Sequence, residues 1–168
     1  MNTAILLIGG NLGDRTGNLR KAAELIAESA GEIIQISALY QTAPWGHVEQ
    51  PDYLNQGLEI HTELDALTLL HTLLEIERTI GRVRQEKWGA RVIDIDLIFF
   101  NDSIMNLPEL KLPHPRMHLR QFVLVPLNEI VPNYVHPVLQ QTVSYLAAHC
   151  EDTCPVSVYR ENNSITSK

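Results

Sequence analysis

Two aspartates separated by a single residue, Asp94 and Asp96, interrupt an otherwise apolar run from Val92 to Phe100. If the run is a strand, Ile93, Ile95, Leu97 and Phe99 share one face, while Asp94 and Asp96 share the other and Ile98 and Phe100 continue it. Strand Cα atoms two residues apart are separated by about 6.6 Å, so both carboxylates can converge on one or two hard cations such as Mg²⁺. An isolated Asp-Ile-Asp is as readily the solvated face of an amphipathic strand. The apolar residues that continue this face favour a built site.

Just before the aspartates, Arg82, Arg84, Lys87 and Arg91 stand with one acid, Glu86. Guanidinium forks suit phosphate oxygens, and a cation held by the aspartates would bridge the same phosphates. The plainer reading, a solvated loop balancing nearby acids, loses weight beside the aspartate pair. Trp88, inside the loop, either orders it by packing or touches a ligand. No glycine-rich loop ends in Gly-Lys-Ser or Gly-Lys-Thr, which excludes a P-loop kinase. Gly9-Gly10-Asn11-Leu12-Gly13 lacks dinucleotide-turn spacing and reads as a structural turn. Tyr53 and Asn55 would share a strand face, where a flat heterocycle could stack on the phenol and bond the amide; a half-buried sheet surface is the alternative. His114, between Pro113 and Pro115, is a rigid turn residue or a ligand contact.

These residues need elements to position them. Thr3 to Ile8 reads as a strand, broken by Gly9, Gly10 and Gly13, before a helix with Leu19, Ala22, Ala23, Ile26 and Ala30 on one face and Gly31 as its stop. Ile34 to Tyr40 and Tyr53 to Ile60 alternate as two antiparallel strands. A helix from about Asp65 to Ile80 follows, with Leu67, Leu70 and Leu74 as its apolar face and Gly81 as its stop, then the aspartate strand. The order β-α-β-β-α-β is the ferredoxin-like α+β pattern. The segment Phe122 to Leu127 and a helix from Leu139 to His149 could cover the second face of the sheet, giving a three-layer αβα sandwich.

The chain has 168 residues, 45% hydrophobic and 20% charged, which suits one globular domain, expected over 1–159 with a frayed tail at 160–168. A net charge of −7 argues against a general nucleic-acid binder. No apolar run could span a bilayer, and the N-terminus lacks a secretory signal pattern, so the cytoplasm is the expected location and no membrane partner is expected. Cys150 and Cys154 are read as reduced and incidental.

Taken together, several motifs resemble the 6-hydroxymethyl-7,8-dihydropterin pyrophosphokinase family. They are Ile8-Gly9-Gly10-Asn11-Leu12, Tyr40-Gln41-Thr42-Ala43-Pro44, Gln50-Pro51-Asp52-Tyr53-Leu54-Asn55, Glu77 with Gly81-Arg82-Val83-Arg84, Trp88-Gly89 with Arg91, Asp94-Ile95-Asp96-Leu97, and Pro113-His114 followed by Arg120 and Phe122. The resemblance implies that Asp94 and Asp96 hold two Mg²⁺ ions and that Tyr53, Asn55 and Phe122 bind the pterin, with Thr42 and Ala43 as neighbouring contacts. It likewise places Glu77, Arg82, Arg84, Trp88, Arg91, Ile98, His114 and Arg120 on the ATP side, with Arg82 and Arg91 as catalytic cations. Leu74, Glu109 and Pro115 depart from the nucleotide contacts seen in some relatives.

The implied reaction moves a pyrophosphoryl group from Mg-ATP to the hydroxymethyl group of the pterin, giving AMP and the pterin diphosphate in folate biosynthesis. Two alternatives remain at this level: another two-metal nucleotidyl or phosphoryl transferase, and a non-catalytic ferredoxin-like ligand-binding module.

Overall fold

A computed structural model describes residues 1–44, 49–81 and 91–161. The first strand, β1, runs from Asn2 to Gly10, and helix α1 from Arg15 to Ser29. Asp14 caps α1 by accepting from the Gly17 N–H, and Leu19, Ala22 and Ile26 are buried as their spacing predicts. Strands β2 (Glu32–Ile36) and β3 (Tyr40–Thr42) follow, both antiparallel to the long β4 (Tyr53–Thr62). Helix α2 (Ala66–Ile80) starts at an Asp65 cap and stops at Gly81, whose φ of 110° favours glycine. Strand β5 (Asp94–Phe100) then pairs antiparallel with β1.

The sheet order is β5-β1-β4-β3-β8, with β2 also on β4 and β8 (Ser157–Val158) a short C-terminal addition. If β2 and β3 are counted as one broken arm, this is the ferredoxin-like arrangement. One core cluster joins Leu6, Ile8, Leu58 and Leu97 to α1 and α2. The other joins Ile5, Leu7, Ile98 and Phe99 to α3 (Gln121–Ile130) and α4 (Val143–Ala148). Helices on both faces of the antiparallel sheet complete the three layers. A small hairpin, β6 (Met105–Asn106) with β7 (Lys111–Leu112), and a 3₁₀ turn at Met117–Leu119 connect β5 to α3. No helix among the described residues is long and apolar enough to cross a membrane.

Several boundaries differ from the sequence expectation. The strand expected from Ile34 to Tyr40 is two strands. Between them Ser37 donates its N–H to the Gly57 carbonyl at 2.9 Å, and its Oγ accepts the Gly57 N–H at 2.9 Å. A register shift between Ile33 and Gln35 leaves Ile33 against the core while Ile34 and Ile36 are exposed. In α2 the buried face is Ala66, Leu69, Leu73 and Ile76, one position from the leucines read as its stripe, and Leu67 and Leu70 pack only at its margin.

In β5 the register shifts between Ile5 and Leu6, pairing Ile5 with Phe99 and Leu6 with Leu97. The extra residue is Ile98, so Ile98 and Phe99 both face α3 and Phe100 turns to the opposite core, reversing the sides expected for the two phenylalanines.

The helix expected from Leu139 begins only at Val143. His136 Nδ1 accepts the N–H groups of Val138 and Leu139, at 3.2 and 3.0 Å, and holds that stretch in a turn. His136 lies edge-on to Phe99 and 6.0 Å from the His118 ring. Burial, then the neighbouring His118, holds its pKa below the usual 6.5. Because the folded value is depressed, the unfolded chain binds more protons as pH falls below about 6.5, and stability declines from there through the lower folded value. His136→Asn, which keeps an acceptor for the turn, is expected to flatten the loss of Tm between pH 7 and pH 5 in thermal melts.

Candidate functional site

The sheet register assembles the site before any loop is considered. Gly9 of β1 pairs with Asn55 on one side and Asp94 on the other. Directly opposed residues in antiparallel strands present their side chains on the same face, so Asn55 and Asp94 flank a gap over Gly9. Asn55 in turn opposes Tyr40, and Tyr53 opposes Thr42. The next row is Gly57, Leu7 and Asp96, which puts both aspartates on the face of Tyr53 and Asn55. The expected sharing of a face by the two acids holds.

Gly9 leaves the space these groups use. A Cβ there would lie 2.2 Å from Asn55 Oδ1, and one on Gly10 would lie 2.4 Å from the Val92 carbonyl oxygen. The sequence reading ended the strand before this pair, whereas the strand runs through both glycines and the turn comes after them. A glycine inside a strand is itself a sign of close approach, and that was the available signal. Asn55 is 7% exposed.

Helix α3 forms the wall above this floor. It packs so closely on Gly57 that a Cβ there would lie 3.1 Å from Leu127 Cδ2 and 3.3 Å from Ile130 Cδ1. Phe122 lies in its first turn, and the Arg120 guanidinium carbon sits 5.6 Å from the centre of the Phe122 ring. The Arg91 guanidinium lies 3.6 Å from the Asp94 carboxylate, with both side chains about one third exposed. Burial raises the Tyr53 phenol pKa; the Arg91 cation opposes the shift and the Asp94 anion adds to it, so these three groups share one electrostatic neighbourhood. Burial lowers the His114 pKa, as do the cations Arg120 and Arg116, against the pull of Asp94. His114 is thus a neutral imidazole at neutral pH.

Two expected ATP-side residues are placed differently from the open cleft. Glu77, 3% exposed on α2, reaches the edge of β5, and its Oε1 accepts the Ile95 N–H between the two aspartates at 2.7 Å. The Ile98 side chain is buried under α3, and its carbonyl accepts the His114 N–H at 2.9 Å. Thr42 is buried at the end of β3, and Ala43 is exposed just beyond it. Glu109 is 3.0 Å from His71 on α2. Arg82, Arg84 and Trp88 lie outside the described residues.

Asn11 was read only as part of a turn, yet it is fully buried. Its Nδ2 donates to Gln50 Oε1 at 3.3 Å and to the Pro51 carbonyl at 3.1 Å, while its Oδ1 accepts the Arg91 N–H at 2.8 Å. The Asn11 and Leu12 N–H groups both donate to the Arg91 carbonyl, at 2.8 and 3.1 Å. One amide therefore fastens the chain entering β4 to the chain entering β5. Asn11→Ala leaves the Arg91 N–H without its acceptor and Gln50 Oε1 and the Pro51 carbonyl without their donor, and is expected to lower stability by about 2 kcal/mol in urea unfolding.

The donor set on this face, two carboxylates with no sulfur or imidazole beside them on their strand, suits a hard cation more than zinc or copper. Among the described residues no three His, Cys, Asp or Glu side chains gather as a complete metal cage. An ion held by the two aspartates would thus take further oxygens from a ligand or water, as Mg²⁺ does when it bridges phosphates.

Residues 5–132 match the family described as 7,8-dihydro-6-hydroxymethylpterin-pyrophosphokinase (HPPK). The chain is similar to the 2-amino-4-hydroxy-6-hydroxymethyldihydropteridine pyrophosphokinase of Synechocystis sp., with 41% identity over 89% of this chain and 77% of that protein. A protein of the same name from Bacillus subtilis is 40% identical over 77% of this chain and 78% of its own length. Among solved structures, wild-type Plasmodium falciparum HPPK-DHPS with SDX-DHP shares the fold, with a TM-score of 0.73 and 21% identity over 88% of this chain. This chain spans 43% of that longer one. The family match covers most of the sequence and the solved structure shares the fold: the chain belongs to the 7,8-dihydro-6-hydroxymethylpterin-pyrophosphokinase family.

Proposed function

We propose that this chain transfers the pyrophosphoryl group of Mg-ATP to the hydroxymethyl oxygen of 6-hydroxymethyl-7,8-dihydropterin, releasing AMP and the pterin diphosphate as a step of folate biosynthesis. The observation that carries the reading is the single sheet row in which Asn55 and Asp94 face each other across Gly9. It sets a heterocycle-binding amide and a cation-binding carboxylate side by side, as a reaction between a pterin and a metal-bound triphosphate requires.

In this reading the pterin ring lies between Tyr53 and Phe122, with its polar edge on Asn55 and the backbone at Thr42 and Ala43. Asn55 supplies both a donor and an acceptor, so its buried amide selects a heterocycle that presents the complementary pair. Asp94 and Asp96 would hold Mg²⁺, which when bound neutralises the phosphates and polarises the transferred group. Arg91, beside Asp94, and Arg120, at the start of α3, contribute positive charge where phosphates would lie, with Arg82 and Arg84 as further expected cations. His114, neutral and next to Arg120, would bond the nucleotide without adding charge. Glu77 and Ile98 act from behind, the first by holding the β5 backbone and the second by offering its carbonyl to His114. Trp88 is assigned to the ATP side with them. Holding both substrates in line supplies much of the acceleration, and no covalent enzyme intermediate is needed.

AMP release with and without 6-hydroxymethyl-7,8-dihydropterin tests the reading. AMP that appears only with ATP, Mg²⁺ and the pterin together is expected. AMP formation indifferent to the pterin would reject it.

A further inference from the structure

The geometry points to Tyr40 and Glu129 as a positioning pair that sets the distance between the α3 wall and the β3–β4 floor, and so the width of the slot that receives the flat substrate ring. The inference rests on the pterin site proposed above.

Neither residue belongs to that site as assigned. Tyr40 opposes Asn55 in the β3–β4 ladder and lies on the same face. Its hydroxyl donates to Glu129 Oε1 at 2.6 Å, a short bond of the kind formed to an ionised acceptor. The same carboxylate accepts the Ala38 N–H, with its two oxygens at 3.0 and 3.3 Å. Glu129 therefore fastens the last turn of α3 to the strand that carries Thr42.

Phe122 is seven residues earlier on α3, two turns away on the same side of the helix. The helix start is held separately, since the Gln121 N–H donates to Asp152 Oδ2 at 3.0 Å and its side-chain amide donates to the Ala147 carbonyl at 3.2 Å. In its second half α3 rests on Gly57 through Leu127 and Ile130, closely enough that a Cβ there would crowd both side chains. A helix seated on the sheet through its second half and tied at both ends keeps its tilt, and the Glu129 tie lies on the seated half. Releasing the Glu129 end lets the helix rock on Gly57 and moves Phe122 relative to Tyr53. Burial, then the hydrogen bond and charge of Glu129, pushes the Tyr40 phenol up to about 12, so Tyr40 remains the donor across the working pH range.

Steady-state kinetics of the full chain with Mg-ATP and 6-hydroxymethyl-7,8-dihydropterin provide the test, using Tyr40→Phe, Glu129→Ala and Glu129→Gln. Loss of one charge-assisted hydrogen bond is expected to raise the pterin KM about fivefold in Tyr40→Phe, and loss of all contacts to raise it about tenfold in Glu129→Ala. The ATP KM should rise clearly less than the pterin KM, because Arg120 moves with Phe122 at the start of α3 while Asp94, Asp96 and Arg91 stay with β5. Glu129→Gln keeps an acceptor oxygen and should lie between Glu129→Ala and the parent. Adding Tyr40→Phe to Glu129→Ala should cost nothing more, since the two residues act through one contact.

A clamp that serves stability alone would lower the urea midpoint and leave the ratio of the two KM values untouched, and that result overturns the proposal. So does an equal rise in both KM values. If the parent chain itself fails to use the pterin, the site assignment falls and the slot with it. A parent that turns over normally beside indifferent variants rejects only the pair.

Discussion

Asp94→Ala and Asp96→Ala are each expected to cut turnover by about a thousandfold or more while leaving the protein folded. Both carboxylates lie on the face of β5 shared with Tyr53 and Asn55, whereas Ile95 and Leu97, which hold this strand in the core under α1 and α2, project the other way. Removing either acid takes away one of the two oxygen donors on which a Mg²⁺-bridged triphosphate would rest, and such electrostatic contacts carry several kcal/mol of transition-state stabilisation in phosphoryl transfer. Folding does not depend on them in the same way. Asp94 is about one third exposed and near Arg91, so its loss removes a solvent-screened contact of small value. Single-turnover kinetics beside circular dichroism and a urea melt separate the two effects. Either variant retaining more than about a tenth of the parent rate would remove that carboxylate from the metal-binding role.

The second large effect is expected from Gly9→Ala. An added methyl group would lie 2.2 Å from Asn55 Oδ1, so the amide must leave its place or the two strands must part. Overpacking of this kind costs about 1–3 kcal/mol of stability. Displacement of the amide should weaken pterin binding by about a hundredfold, since a buried polar contact is lost together with the shape of the slot. The two consequences come apart in a double-mutant cycle. In an Asn55→Ala background the same Gly9→Ala change meets less resistance, leaving the Leu54 carbonyl at 3.0 Å as the nearest obstacle, and most of the stability cost should vanish. Pterin titrations and urea melts of the four proteins measure both terms, and additive costs would refute the steric coupling.

The elements with strong periodicity were legible from residues alone. Helix α1, the Gly81 stop of α2 and the alternation that puts Asp94 and Asp96 on one face follow from side-chain spacing, which reports local geometry directly. The break between β2 and β3 was not legible, because it depends on Ser37 and Gly57 meeting across strands and on Glu129 taking the Ala38 N–H from 91 residues away. The re-phasing at Ile98 was hidden for a related reason. Apolar residues on both faces of β5 read alike in a sequence, and only packing against two different cores distinguishes Phe99 from Phe100. At the candidate site, residue types pointed to Tyr53, Asn55 and the acids, which the sheet register brings to one face. The roles of Gly9 and Asn11 come from what they allow and what they join, and neither has a side chain that announces chemistry.

Among the described residues strand β5 ends the sheet, and an edge strand ordinarily offers its outward N–H and C=O groups to any passing chain. Here two of those groups are already taken: the Ile95 N–H by Glu77 from α2, and the Ile98 carbonyl by the His114 N–H. The outward edge of the strand that carries the acids is thereby occupied by the protein itself at Ile95 and Ile98. A candidate binding face at the border of the sheet thus comes with fewer outward groups left to template self-association.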